Sequence, residues 1–355
     1  MIMENSLVSF SGSKEYKKKN NSIEFFRFLF MLVLAIWHFK LINFFEHGYF
    51  VVEFYFILSG FLLYQSFLKR NVGTIQYTLK KIKRFYLEYF IAFALIYSLN
   101  LYYMRSSFNV LSIEYIFDNV VRILPELLFL QDIGIFRGGF NYPLWYLSVL
   151  IVGGGLLYAM LDTNKRVTIN IILPVLIILV YAYLFSSDKP SLENWDTIGC
   201  FPLPLLRGMA DISVGILVYH IYIHNVSSIA RYKTFLNIIS VPCIFLFILS
   251  MFAVQSYDCY ILIFVPVIIL SCVVSGTWIN IVFRSSFWTK CGSITFEMYC
   301  LHAAIVYLYK SCVKYGVIDN KTLLLFCYLL TLITGSIILK YVHDKIVKRG
   351  IPFFT

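Results

Sequence analysis

Residues 23–63 read IEFFRFLFMLVLAIWHFKLINFFEHGYFVVEFYFILSGFLL, two apolar runs joined by a short polar turn at Glu46, His47 and Gly48. A helix needs about 20 mostly apolar residues to cross hydrocarbon, and each run approaches that length. Three ionisable side chains, Arg27, His38 and Glu53, lie inside them. A charge at the centre of a span costs about 2.5 kcal/mol or more on insertion scales, so such groups usually face a bundle interior or an aqueous cavity. Three of them in two adjacent helices define a candidate site.

The rest of the chain has the same character. Of its 355 residues 60% are hydrophobic and 14% charged, well below the roughly one-quarter charged share of soluble domains. The expected fold is all-α and polytopic, with ten transmembrane helices near 24–44, 50–68, 85–103, 144–161, 169–186, 205–223, 234–254, 259–276, 293–311 and 322–342. The stretch 123–130 is too short to span and is interrupted by Pro125 and Glu126, which suits a re-entrant or interfacial helix. Residues 1–22 and 344–355 read as polar tails around a membrane domain at 23–343.

Loop charge sets the expected orientation. Lys14, Lys17, Lys18, Lys19, Lys69, Arg70, Lys80, Lys81, Lys83, Arg84, Lys165, Arg166, Arg231, Lys233, Arg284, Lys290, Lys345, Lys348 and Arg349 fall on one side of the ten crossings. The other side mixes Arg105, Arg122, Arg137, Lys189, Lys314 and Lys321 with Glu114, Asp118, Glu126, Asp132, Asp188, Glu193 and Asp196. The positive-inside rule then puts both termini in the cytoplasm. It also accounts for the net charge of +11 without nucleic acid. No cleavable leader is expected, since the first apolar run follows a basic, Ser- and Asn-rich segment.

Cys200, Cys243, Cys259, Cys272, Cys291, Cys300, Cys312 and Cys327 have no C-x-x-C spacing and mostly sit in apolar runs, as small hydrophobes rather than metal ligands. No metal site is expected, and no phosphate loop, H-E-x-x-H or G-x-S-x-G occurs. The long outer loops, 104–143 and 187–204, carry GGFNYP, SLENWD and CFPLP. Such Gly, Pro, Asn and aromatic clusters suit either an ordered loop that binds something polar, sugars included, or a plain connector with interfacial aromatics.

Arg27 and His38 are eleven residues apart, which on an α-helix is about 20° around and about 16 Å along the axis. They share a face at different depths. Taken singly, Arg27 reads as a snorkelling side chain and His38 as a structural hydrogen-bonding group. Together they read as a guanidinium at the cytoplasmic rim, suited to a phosphate-bearing ligand, and an imidazole deeper in the membrane, suited to proton transfer.

The run from Arg27 to His38 followed by VEFYFILSGFLL at Val52–Leu63 resembles membrane acyltransferase family 3, the type that O-acetylates bacterial polysaccharides such as O-antigens. The likeness extends along the chain. Lys80–Tyr86 (KKIKRFY) is similar to the basic opening of the family's third helix, with Leu87 where a Pro is common, and PLWYLSVL at Pro143–Leu150 to its W-x-L-S segment, without the usual glutamate after the serine. Arg207 with Gly215 matches a later Arg-to-Gly pattern, and Gly292–His302 resembles G-x-x-S-Y-x-x-Y-L-x-H, with Thr295 for Ser and Cys300 for Leu.

The resemblance implies acyl transfer from cytosolic acyl-CoA, acetyl-CoA above all, to a hydroxyl of a cell-envelope glycan or lipid-linked sugar, in the bacterial cytoplasmic membrane. Arg27, Lys81, Lys83 and Arg84 would hold the donor's phosphates. His38 would be the general base, with Glu53 orienting the imidazole or stabilising imidazolium, and Trp145, Arg207, Tyr299 and His302 are acceptor or structural positions. With no added hydrolase-like domain after the last span, the membrane domain is expected to complete the transfer alone. Two readings from other classes stay open: a transporter or flippase of a lipid-linked sugar using His38 and Glu53 as a proton relay, and a polysaccharide polymerase using Asp132 and Arg137. The lack of a detectable repeat weighs against the transporter.

Overall fold

The computed structural model describes residues 20–69, 72–108, 113–134, 137–186, 191–226, 231–252, 258–314 and 320–348. Most of the two expected tails (residues 1–19 and 349–355) and the loop positions Arg70, Asp188 and Lys189 lie outside them, as do the side chains of Arg105, Glu114, Asp118 and Lys314.

The chain is an all-α polytopic membrane protein. Helix α1 (Asn21–Phe39) is the central column, buried along most of its length. Asn20 caps it, its Oδ1 accepting from Ser22 and Ile23 N–H at 3.0 and 3.1 Å, and Lys40 ends it in the left-handed conformation (φ 56°). After a 3₁₀ turn at Gly48–Phe50 comes α2 (Val51–Lys69), then the long α3 (Thr74–Phe108) and the short α4 (Ile113–Leu127). On α4, Val120, Val121 and Leu124 face outward, as does Leu128 just beyond it, while Asn119 and Glu126 are buried. Apolar-out and polar-in is the pattern of an element lying against lipid, in keeping with the short interfacial segment expected there.

Helix α5 (Trp145–Val167) runs through a π turn at Thr168–Ile172 into α6 (Leu173–Ser186) as part of one 45-residue helical stretch. At about 1.5 Å per residue that is more than twice the hydrocarbon thickness. Asn164 breaks it (φ −150°, ψ 89°) beside Lys165 and Arg166, and both α5 and α6 pack on α7 (Leu203–His224), so the stretch doubles back there. A two-residue hairpin, Thr197–Ile198 with Phe201–Pro202, leads into α7. Then follow α8 (Lys233–Ser250), α9 (Ile261–Val273), α10 (Trp278–Val282), α11 (Ser286–Gly292), α12 (Thr295–Lys314) and α13 (Lys321–Lys348).

Each of the ten expected spans overlaps one of these helices. By length and apolarity, seven helical segments among the described residues can cross a membrane, or eight with the bent pair α11–α12. The two counts differ because α5 and α6 form one segment and α9, with 13 residues, is short. Backbones come very close where α2 crosses α7. A side chain at Gly60 would strike the Ile212 carbonyl, and one at Gly215 the Ile57 carbonyl. Small residues at such a crossing let two membrane helices pack backbone to backbone.

Candidate functional site

Three polar groups meet inside the bundle, all built on α1 or α2. The first surrounds Arg27. Its guanidinium pairs with Glu24 at 2.9 Å on the same helix face, and its carbonyl accepts from the Tyr55 hydroxyl at 2.5 Å. A cavity of about 260 Å³ opens beside it, lined also by Lys81, Arg84 and Glu88 from α3, Glu297 from α12, and Lys340 and His343 from α13. Lys81, Arg84 and Glu88 repeat at three and four residues, so α3 presents them as one stripe. Glu88 forms an ion-pair contact with His343, and Glu297 lies 3.6 Å from Lys340. Lys83 falls off the stripe and does not line the cavity.

Tyr146 and Tyr299 also line this cavity; Tyr146 shares a hydrogen bond with Ser59 at 3.1 Å. The two tyrosine rings meet edge to face at 5.7 Å, and beyond Tyr299 lies the second group. The His38 and His302 rings are 5.0 Å apart, and both side chains are buried. The Tyr142 hydroxyl is 3.0 Å from His38 Nδ1. His302 Nδ1 lies 2.6 Å from the Tyr299 carbonyl. A carbonyl only accepts, so that nitrogen carries the proton, and a neutral His302 keeps its lone pair on Nε2. This Nε2 is buried and has no hydrogen-bond partner among the described residues.

Sequence order explains how Tyr142 reaches His38. The buried carboxylate of Glu126 on α4 accepts from Phe140 N–H at 2.7 Å and Asn141 N–H at 2.9 Å, and Asn141 Nδ2 donates to the Cys300 carbonyl at 3.1 Å. Tyr299 donates to the Pro143 carbonyl. These bonds fix the GGFNYP stretch on both sides of Tyr142. Burial pushes the Glu126 carboxyl above its ordinary range, and the two backbone donors oppose that rise.

The third group holds Glu53. It is fully buried, 3.5 Å from Arg207 on α7, whose guanidinium lies 5.3 Å from the centre of the Trp145 ring. Asp211, one turn further along α7, accepts from the Tyr181 hydroxyl. The structure thus gives His38 the neighbours Tyr142 and His302, and Glu53 the neighbour Arg207. It gathers Arg27, Lys81 and Arg84 at one cavity with Tyr299, and it seats Trp145 over Arg207 in the polar group of Glu53.

Several of these residues stand out only in three dimensions. Glu88, Lys340 and His343 are ionisable groups inside apolar helices, a signal the sequence carries, but nothing in it joins α3 to α13. Tyr142 is one tyrosine among 27, and Glu126 reads there only as an interruption of a short apolar stretch. Among the described residues no three His, Cys, Asp or Glu side chains gather to hold a metal ion.

No curated protein and no solved structure matches the chain. The acyltransferase-domain family matches residues 20–341, which spans α1 through most of α13 and nearly every side chain of the three groups. On that match this multi-pass membrane protein belongs to membrane acyltransferase family 3 and is an acyltransferase.

Proposed function

We propose that the protein moves an acetyl group from cytosolic acetyl-CoA to a hydroxyl of a cell-envelope glycan or lipid-linked sugar, in the bacterial cytoplasmic membrane. The observation that carries this reading is that Tyr299 both lines the basic cavity and touches His302 of the histidine pair. A cationic entry and a proton acceptor are thus one side chain apart.

The cavity suits the donor's narrow arm. Its volume of about 260 Å³ lies near the lower end of small-molecule sites, so the nucleotide end stays at the mouth, where Arg27, Lys81 and Arg84 supply charge-assisted donors for phosphate. With Nδ1–H donating to Tyr142, His38 carries its lone pair on Nε2. The acceptor hydroxyl gives its proton to that nitrogen as its oxygen bonds the thioester carbonyl carbon. The tetrahedral adduct then collapses, the carbon–sulfur bond breaks, and the proton passes to the departing CoA sulfur. General-base catalysis of this kind contributes about 100- to 10,000-fold. Within this scheme Glu53 holds Arg207 and Trp145 in place rather than touching the imidazole.

The test is ester-linked acetate on the surface glycan, released by mild alkali from cells that hold wild type or His38→Ala at equal membrane abundance. Acetate present with wild type and lost in the variant is the expected result. Equal acetate in both would remove His38 from the chemistry. Flux of a lipid-linked sugar with no CoA released would favour a transporter instead.

A further inference from the structure

Asp132, Gly134 and Arg137, just ahead of the GGFNYP stretch, wall a second cavity, of about 420 Å³, with the hairpin ahead of α7 on its other side. Asp132 and Arg137 line it from one side, and Trp195, Cys200, Pro202 and Pro204 from the other. The two walls are tied together. Arg137 donates to the Trp195 carbonyl at 3.0 Å, and Gly134, at φ 102°, sits so close to Pro202 and the Cys200 carbonyl that a side chain there would press on both.

The lining has an unusual make-up. Trp195 leaves 42% of its surface open, while its ring is braced edge-on against Trp145 at 5.1 Å. Asp132 is held in the left-handed conformation (φ 53°), which a non-glycine residue keeps only where its surroundings fix it. One of its oxygens accepts the Gly138 N–H at 3.0 Å. A braced, half-open indole beside a carboxylate and a guanidinium offers an apolar platform with fixed hydrogen-bond acceptors and donors at its edge. A pyranose has the matching surface, an apolar C–H face with hydroxyls around its rim. A chain of contacts also links the cavity to the reaction site. Trp195 touches Trp145, which lies three residues from Tyr142, and Tyr142 touches His38.

We propose that this cavity is a saccharide subsite, in which one sugar ring of the acceptor lies on Trp195 with its hydroxyls bound by Asp132 and Arg137. The assignment rests on the glycan-acyltransferase reading above and names the part of the protein that selects the acceptor.

The probe is surface polysaccharide from cells that produce the protein, de-esterified with mild alkali, added to the full chain in lipid nanodiscs. Cys200 supplies a direct readout, because its exposed thiol lines the cavity. Saturating polysaccharide should cut its modification by a membrane-impermeant maleimide by half or more. Trp195→Ala should weaken binding about tenfold, the equivalent of ~1.4 kcal/mol, while Trp195→Phe keeps it within about threefold. His38→Ala should bind as wild type does. Unchanged Cys200 labelling, or Trp195→Ala binding like wild type, overturns the subsite. Acetyl transfer without Cys200 protection would overturn it and leave the acyltransferase reading standing. Protection with no CoA released would sustain the subsite and refute acetyl transfer.

Discussion

Replacing Glu53 by Gln should destabilise the protein, and a second change at Arg207 should restore most of the loss. The two side chains are 0% and 5% exposed and 3.5 Å apart. At an effective dielectric near 20 their attraction is about 5 kcal/mol, most of it offset in the intact pair by the cost of burying both charges. Glu53→Gln removes the attraction and leaves the guanidinium buried, a loss of about 3–5 kcal/mol. Arg207→Met alone leaves the carboxylate uncompensated with Asp211 one turn along α7, and a loss of similar size follows. In the double variant neither charge remains, the thioether side chain introduced by Arg207→Met keeps an apolar contact on Trp145, and a neutral amide replaces the carboxylate. The unfolding temperature in detergent, followed by the monodisperse fraction, should drop by roughly 4–7 °C in each single variant. The double variant should recover more than half of the summed loss. Purely additive losses would show that the two residues are not coupled, and the reasoning that removes Glu53 from the imidazole would fall with them.

Tyr142→Phe deletes the hydroxyl on His38 Nδ1 and should slow acetyl transfer about three- to tenfold, matching the 0.5–1.5 kcal/mol of a typical hydrogen bond; an unchanged rate would mean that Tyr142 does not set the imidazole. Lys81→Ala with Arg84→Ala should raise the acetyl-CoA KM about tenfold or more and leave kcat nearly unchanged, since charge-assisted bonds contribute about 1.5–3 kcal/mol each; a fall in kcat alone would move these residues out of donor binding. Burial raises the Glu126 carboxyl above its ordinary 4.5, so its contribution to stability is full at lower pH and is lost as pH climbs through the raised value. The melting temperature of wild type minus that of Glu126→Gln should therefore decline as pH rises above about 4.5. A constant difference would mean that Glu126 does not titrate differently on folding.

The helices were legible because apolar run length alone marks a span, and the ionisable residues inside them because hydrocarbon penalises each one. Helical spacing puts Arg27 and His38 on one face at different depths, and α1 holds them apart along its length, one at the cavity and the other beside His302. What sequence could not supply was pairing across the bundle. Glu53 stands 15 residues after His38 and 154 before Arg207, and its partner is the distant residue. No local period encodes that choice. It follows from Gly60 and Gly215, which bring α2 against α7 and so carry Glu53 to Arg207 instead of to α1.

The same logic separates the two ends of the site. Cationic side chains at the Arg27 cavity come from α1, α3 and α13. The neighbours of His38 come from α12 and from the GGFNYP stretch, which owes its shape to Glu126, Asn141 and the Tyr299–Pro143 bond. Tyr299 belongs to both ends: its ring lines the cavity, its carbonyl fixes the His302 tautomer, and its hydroxyl holds the stretch that presents Tyr142. A change at Tyr299 therefore acts on donor space, on the histidine pair and on the Tyr142 stretch together. Tyr299→Phe keeps the ring and the carbonyl and removes only the hydroxyl. If the hydroxyl's role is to hold that stretch, Tyr299→Phe should slow transfer to about the extent that Tyr142→Phe does, because both remove one link of the same chain, and combining them should add little. Fully additive losses would show that Tyr299 acts on the reaction by a route that bypasses Tyr142.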